Sequence, residues 1–469
     1  MKKTRKLTAL SLCAAIVLCA SSCGEGNSGR TGDASASAAT TTAAATTTSN
    51  TLDDDLKNPV DIQEFVDEEA TLENPNLTYL GFYDMRTAGD IKPGVKLFEE
   101  TYGGKIDYYQ VAWGERIDRL QILIAGGQSP DLVDKEDMSF PLMMAKNVYE
   151  DLTDYIDLSQ PQWDGFQDLI ESYSWNGKHY YYPFTANALP DCLIYDKGLF
   201  EELGISDPKE LYDKGEWTWD TFRDCMVKFT NSKEGALGGV YGPVSNDLFA
   251  TTGTALIQVK DGKVKSNIAN AAIDSAANFL MDIRKQGLTV RGEGMWSNES
   301  APLATGQVAF LGVGQWKITD FCKEYPNQEF GFVPFPRDPD ADNYYYNLSS
   351  FSYMVPKGSK NVEGAATFID IMRKCNTDPD LKAVVKESIM NDKQYSEEQY
   401  EFLTSFEEIG KYNLVVNAYS GISDDLTPVI DDMLVNVAFN SDDAKSWTQL
   451  RQENEGVINS ILDSFEGSN

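Results

Sequence analysis

Three segments decide the fold: LTYLGFY (77–83), KIDYYQV (105–111) and WGERIDRLQILIAGGQSPDLV (113–133). The first two are near-continuous apolar runs separated by a helical pattern around Val95 to Tyr102. Buried strand, helix and buried strand in that order are the mark of a parallel sheet covered on both faces. In the third segment Ile117, Leu120 and Ile124 fall on one helical face. Gly126-Gly127 ends that helix, and Ser129-Pro130 turns the chain into a short strand from Asp131 to Val133. The rhythm is βαβ.

Working outward, the same logic recurs. Ile273, Ala276, Leu280 and Ile283 form one helical face ending at Gly287, and Ala365, Phe368, Ile369 and Met372 form another. Trp217 and Trp219 flank a helix start whose N-cap is Thr218 or Asp220, a pattern that reads as a hydrophobic staple. Tyr182 and Phe184 read as core, and His179 falls in a turn after Asn176-Gly177. Neither a GxGxxG nor a GxxxxGK[ST] phosphate loop is present, which argues against nucleotide enzymes of those types.

Length and charge bound the function. A chain of 469 residues has room for two or three globular units. Lys+Arg 40 against Asp+Glu 73 leaves a net charge of -33, which repels nucleic acid and anionic lipid surfaces. A single histidine excludes multi-histidine zinc sites and makes Ser-His-Asp chemistry a poor fit. Hydrophobic content of 42% still supplies an ordinary core.

The N-terminus reads as an address. Lys2, Lys3, Arg5 and Lys6 precede an apolar run from Leu7 to Leu18, shorter than the roughly 20 residues a membrane span needs. Ala20-Ser21-Ser22-Cys23 resembles a lipobox, which implies a signal peptide over 1–22 and lipidation of Cys23. From there to about Leu52 the chain is almost wholly Gly, Ser, Thr and Ala, a flexible tether with a reach on the order of 30 Å. Cys192, Cys225, Cys322 and Cys375 are scattered through the body without CxxC spacing and read as buried apolar residues.

Several separated blocks carry a family resemblance. RLQILIAGGQSPDLV (119–133), WNGKHYYYPF (175–184), LIYDKGLFEELGI (193–205) and GEWTWDTF (215–222) are followed by LATGQVAFLGVGQW (303–316), FGFVPFPRDP (330–339) and VPKGSKNVEGAATFIDIM (355–372). In order and spacing they resemble the family 1 extracellular solute-binding proteins of ABC importers, the group that includes the maltodextrin-binding protein. The resemblance implies an α/β fold of two discontinuous lobes with a ligand cleft between them. It places lobe 1 at 75–188 plus 350–409 and lobe 2 at 189–349 plus 410–469. The crossings would fall near Asn187 to Pro190, Asn347 to Ser350 and Gly410. Residues 23–74 are then tether and lead-in.

The function so implied is capture of an oligosaccharide or sugar for delivery to ABC permease subunits, without catalysis and without a cofactor. The protein would be an exported, membrane-anchored lipoprotein with its body on the extracellular side, monomeric, with no nucleic-acid partner. Sugars need aromatic platforms for their C–H faces and hydrogen-bonding groups for their hydroxyls. Trp113 in a strand-to-helix loop, Trp316 in the GQW block and Trp296 in the loop GEGMWSNES are the candidate platforms. Asp134, Glu136 and Asp137 after the third strand, Asn187 at the first crossing and Gln315 beside Trp316 are the candidate polar contacts. Asp338, Asp340 and Asp342 recur like the start of a calcium loop, but Asn343 and Ser349 stand where glycine and the bidentate glutamate belong, so no metal is expected. Three rivals remain: an exported carbohydrate hydrolase using a carboxylate pair, a binding protein for a peptide or cationic solute, and, more weakly, an adhesion or sensing role without transport.

Overall fold

A computed structural model describes residues 61–134, 140–187, 191–260, 262–292, 299–314, 316–393, 395–407, 413–439 and 444–468. The leader, Cys23 and the tether as far as residue 60 lie outside the described residues. From there the lead-in is docked: Ile62 is buried in the core, and Asn361 donates to the carbonyls of Asn74 and Asn76 while capping the helix that follows it.

The first sheet is built as the apolar runs suggest. Strands β1 (Leu77–Gly81), β2 (Ile106–Gln110) and β3 (Leu132–Asp134) are parallel, with β1 in the middle and Tyr79 opposite Tyr108. The connecting helix Lys92–Tyr102 starts with Pro93 in its first turn and ends at Gly103, whose φ of 72° only glycine takes without strain. Its buried Val95, Leu97 and Phe98 face the sheet and the helix Val362–Cys375, where Phe98 meets Phe368 edge-on. The second connecting helix, Arg116–Ala125, buries Leu120.

After β4 (Thr185–Asn187) the chain enters a second sheet of β5 (Asp191–Asp196), β6 (Gly238–Tyr241), β9 (Thr289–Val290), β10 (Val308–Gly314) and β11 (Phe330–Val333), with β7 (Ile257–Lys260) and β8 (Lys263–Ser266) forming a separate hairpin. The order is β11-β5-β10-β6-β9; β6, β9 and β10 are parallel, and β5 opposes β10 and β11. All seven residues of β10 are buried. The helix Trp219–Ser232 covers it, capped by Thr218 in a reciprocal capping box with Thr221, while Trp217 packs on Phe222 as the staple. In the helix Ala271–Lys285 the face Ile273, Ala276, Leu280 and Ile283 is fully buried.

The chain passes between the two sheets three times. It leaves the first sheet through β4. It returns through β12 (Tyr345–Asn347), β13 (Ser349–Phe351) and β14 (Tyr353–Met354), the last of these antiparallel to β3. After the helices Val362–Cys375 and Pro379–Lys393, both on the first sheet's side, it goes back through β15 (Asn413–Val415) to helices Leu426–Ala438 and Trp447–Ser468, which pack beside Ala271–Lys285. Two short ladders line these passages: β4 with β13, antiparallel, and β12 with β15, parallel. Cys192, Cys225 and Cys375 are free, buried thiols, and burial pushes each above its usual range.

Arg373 shows how the first sheet's helices are locked to the passage. It is 6% exposed; its Nε donates to the Gln162 carbonyl at 2.7 Å and its Nη1 to the Phe184 carbonyl at 3.0 Å, with Phe166 lying 3.4 Å beneath the guanidinium. Arg373→Met keeps the stem but strands two buried carbonyls, so urea unfolding should show a loss of about 2–3 kcal/mol. A loss below about 0.5 kcal/mol would mean that those carbonyls find other donors.

Candidate functional site

In an open α/β sheet, ligand contacts gather beyond the carboxyl ends of the strands. At that end of the first sheet the Tyr79 ring leans along its own strand over Gly81. A Cβ at Gly81 would lie 2.0 Å from the phenol oxygen, so only glycine leaves that path open. The phenol donates to Asp134 Oδ1 at 2.5 Å. Burial first, and then the Asp134 charge, push the Tyr79 phenol well above its usual range, so it stays a donor. Tyr108 stacks on Tyr79, and the Tyr83 and Tyr353 hydroxyls pair at 3.3 Å.

Above this buried layer stands an exposed one. Trp113 opens a single helical turn after β2 and is 59% exposed; Phe82, the residue after β1, meets it edge-on at 4.6 Å. The Arg116 guanidinium lies 3.4 Å over the Trp113 ring and 5.0 Å from Phe82, with Nε donating to the Trp113 carbonyl at 2.9 Å. This is a cation–π stack that holds the indole upright.

The second sheet offers a matching feature. The strand β10 stops at Gly314, and Trp316 begins the helix Trp316–Glu324, which Ile318 and Phe321 anchor in the core. A Cβ at Gly314 would stand 2.1 Å from the Trp316 indole nitrogen. The indole therefore lies against bare backbone at the strand's end and still leaves 64% of the residue exposed. That is the physical content of the G-x-W spacing. Beside it, at the end of β6, the Tyr241 hydroxyl hydrogen-bonds to Glu299.

Trp113 and Trp316 thus stand at the carboxyl ends of strands in different sheets. Asp134, expected in a loop, is the last residue of β3, 6% exposed, with one oxygen taken by Tyr79. It positions the surface from below. Asn187 closes β4, in register with Ser349. Glu136, Asp137, Trp296 and Gln315 lie outside the described residues. Phe82, Arg116 and Tyr79 escaped the sequence reading, because LTYLGFY looks like uninterrupted core and nothing in it marks Phe82 as the residue that emerges. The single histidine is engaged in structure: Nε2 pairs with Glu171 at 2.9 Å and Nδ1 with Thr153 at 3.3 Å. A cavity of about 370 Å³ lies away from both tryptophans, lined among others by Glu171, Ser174, Gln258, Lys260 and Val415.

The sequence profile of the bacterial extracellular solute-binding proteins matches residues 95–379. No curated protein gives a significant match. Among solved structures, the sugar-binding protein MalE from Xanthomonas citri has a TM-score of 0.63 at 16% identity, covering 83% of this chain and 98% of its own. An ABC substrate-binding protein from Listeria monocytogenes, in complex with cycloalternan, gives 0.61 at 18%, covering 84% and 100%. The GacH receptor of Streptomyces glaucescens, solved unliganded and with acarbose, gives 0.59 at 17%, covering 83% and 98%. These likenesses show the two-lobed α/β fold.

Gly314→Ala tests the platform. The added methyl must push the indole off the strand end, so a crystal structure of the variant should show Trp316 displaced while β10 stays paired with β5. An unmoved indole would show that the bare backbone is not what seats it.

Proposed function

This chain belongs to the bacterial extracellular solute-binding protein family, and from that premise we propose that it is the receptor of an ABC importer, binding a neutral oligosaccharide or sugar. The observation that carries the proposal is the pair of exposed indoles at strand ends, Trp113 with Phe82 on one sheet and Trp316 on the other. Apolar ring faces fixed at the mouths of two sheets suit the flat C–H faces of pyranose rings, which need area more than charge. The acarbose and cycloalternan bound by two of the similar structures, and the sugar-binding name of the third, support the same choice.

In this reading the lobes are 75–188 plus 350–409 and 189–349 plus 410–469, and the ladders β4–β13 and β12–β15 form the hinge. The ligand enters an open cleft, touches both platforms and favours the closed form by the contacts that only this form makes. An affinity near micromolar, about -8 kcal/mol, suffices for capture and still permits release to the permease. Asp134, Glu136, Asp137, Asn187, Trp296 and Gln315 complete the proposed site, Asp134 by holding the first sheet's surface in place. The body is exported and held at the membrane through Cys23. No helix among the described residues is long and apolar enough to cross a membrane.

A thermal-shift screen of mono- and oligosaccharides should find a ligand that raises the melting temperature, since binding to the folded state alone stabilises it by mass action. Trp316→Ala and Trp113→Ala should each cost about 2 kcal/mol of that affinity, roughly 30-fold, with the ligand-free melting temperature little changed. Unaltered affinity in both variants would remove the indoles from the site. Salt should leave the affinity alone; a steep salt dependence would favour a cationic solute or peptide, and cleaved glycan in the incubation would favour a hydrolase.

Cys23→Ala should move the protein from the membrane fraction to the medium. Continued membrane retention would exclude the lipid anchor.

A further inference from the structure

The two sides of the molecule touch again away from the passages. The turn Trp175–Lys178 follows the short helix Gln167–Ser172 and is tied to the first sheet's side by the Leu152 amide, which donates to the His179 carbonyl. Its Trp175 ring, 4% exposed, meets Phe465 edge-on at 5.6 Å. Phe465, 5% exposed, lies in the last turn of the helix Trp447–Ser468 on the second sheet's side. Next to it Glu466 accepts from the Val264 amide of β8 at 3.0 Å, and in the same hairpin a Cβ on Gly262 would stand 3.0 Å from Asn176 Oδ1. The cavity of about 370 Å³ adjoins this seam; Asp168 and Glu171 wall it from one side, Gln258 and Lys260 from the other, and Val415 of β15 from the passage.

The seam and the Trp316 platform lie on opposite faces of the second sheet. Successive residues of a strand point to opposite faces. On β10, Phe310 points to the helix Trp219–Ser232 and meets Phe222; Trp219 of that helix stacks on Phe279 of Ala271–Lys285, beside which Trp447–Ser468 packs. Leu311 and Val313 share the other apolar cluster, with Ile318 and Phe321 of the helix that Trp316 begins. Tyr346 of β12 belongs to that cluster, whereas Val415, on the strand paired with β12, lines the cavity. The β12–β15 ladder thus stands between the indole and the seam.

We propose that the Trp175–Phe465 seam is a counter-latch on lobe closure. Two bodies that turn about a line between two contacts cannot tighten both, so drawing the sheets together at the indoles draws them apart at the seam. Closure therefore exposes two buried rings. The latch keeps the empty protein open and lowers its apparent affinity by the fraction of molecules that close unaided, which favours release of the ligand.

The proposal rests on the reading in which a ligand shuts the lobes, but its experiment needs no ligand, so a failed sugar screen and a failed latch are separate results. Asp118 and Glu324 are exposed on the helices that carry Arg116 and Trp316. Single-molecule energy transfer between dyes coupled to azidophenylalanine at these two positions reads the lobe separation in the full-length protein. Phe465→Ala should raise the ratio of closed to open molecules about tenfold, the size of a good aromatic pair. Trp175→Ala should do the same, and the double variant should go no further than either alone, because the two rings make one contact. Should an alanine variant fail to fold, Phe465→Leu or Trp175→Leu keeps apolar bulk without the edge-on ring and should shift the ratio the same way by less. An unchanged or lowered closed fraction would overturn the latch. So would shifts that add in the double variant, since each ring would then act through the packing of its own side.

Discussion

A sheet buried on both faces can present side chains to a ligand only where its strands stop, and this constraint orders the rest of the molecule. The strand β10 is apolar and buried along its whole length, so nothing on it can meet solvent until the chain leaves it at Gly314. The first exposed indole there is Trp316, seated on the strand's last backbone unit because Gly314 has no side chain. The first sheet repeats the solution. The strand β1 ends in Gly81, which clears a path for Tyr79 beneath, and the next residue, Phe82, emerges to meet Trp113. In both places a glycine lets one aromatic side chain lie where a methyl group would collide with it.

What could be read in the sequence follows the range of the interactions involved. Helix faces such as Ile273, Ala276, Leu280 and Ile283 obey a local period, and the capping box at Thr218 closes within three residues, so both were legible. The spacing of Gly314 and Trp316 is local too, and the structure shows the exposed indole lying against that glycine; its role toward a ligand is not something spacing decides. Asp134 was misplaced as a loop acid because its partner Tyr79 is 55 residues distant, and no local pattern tells a carboxylate bound from below from one that faces water. Arg116 opens the helix whose apolar face the sequence shows, but that its guanidinium covers Trp113 depends on the turn between them. The tie between Asp247 and Asn347 spans 100 residues and left no trace in spacing.

The two ladders that join the sheets are short, three residue pairs each, and their hydrogen bonds alone resist bending weakly. Side-chain ties reinforce them. Arg373 secures the Phe184 carbonyl just before β4 on the first sheet's side, and the helix Ser245–Ala250 secures Asn347 and Asn417 on the other. The passages are thus fastened to the first sheet's side at one root and to the second sheet's side at the other, with only the short ladders between.

Charge and recognition are separated in this design. A net charge of -33 repels anions and draws cations toward the surface within a Debye length of about 10 Å, yet the exposed platforms are aromatic and owe their attraction to area. A buried carboxylate needs hydrogen-bond donors to offset its lost hydration, and Asp134 takes one from the Tyr79 phenol. The acids nearest the core thus sit in hydrogen bonds, while the many others face water. Stacking on such ring faces is indifferent to ionic strength, and the acidity of the surface serves solubility.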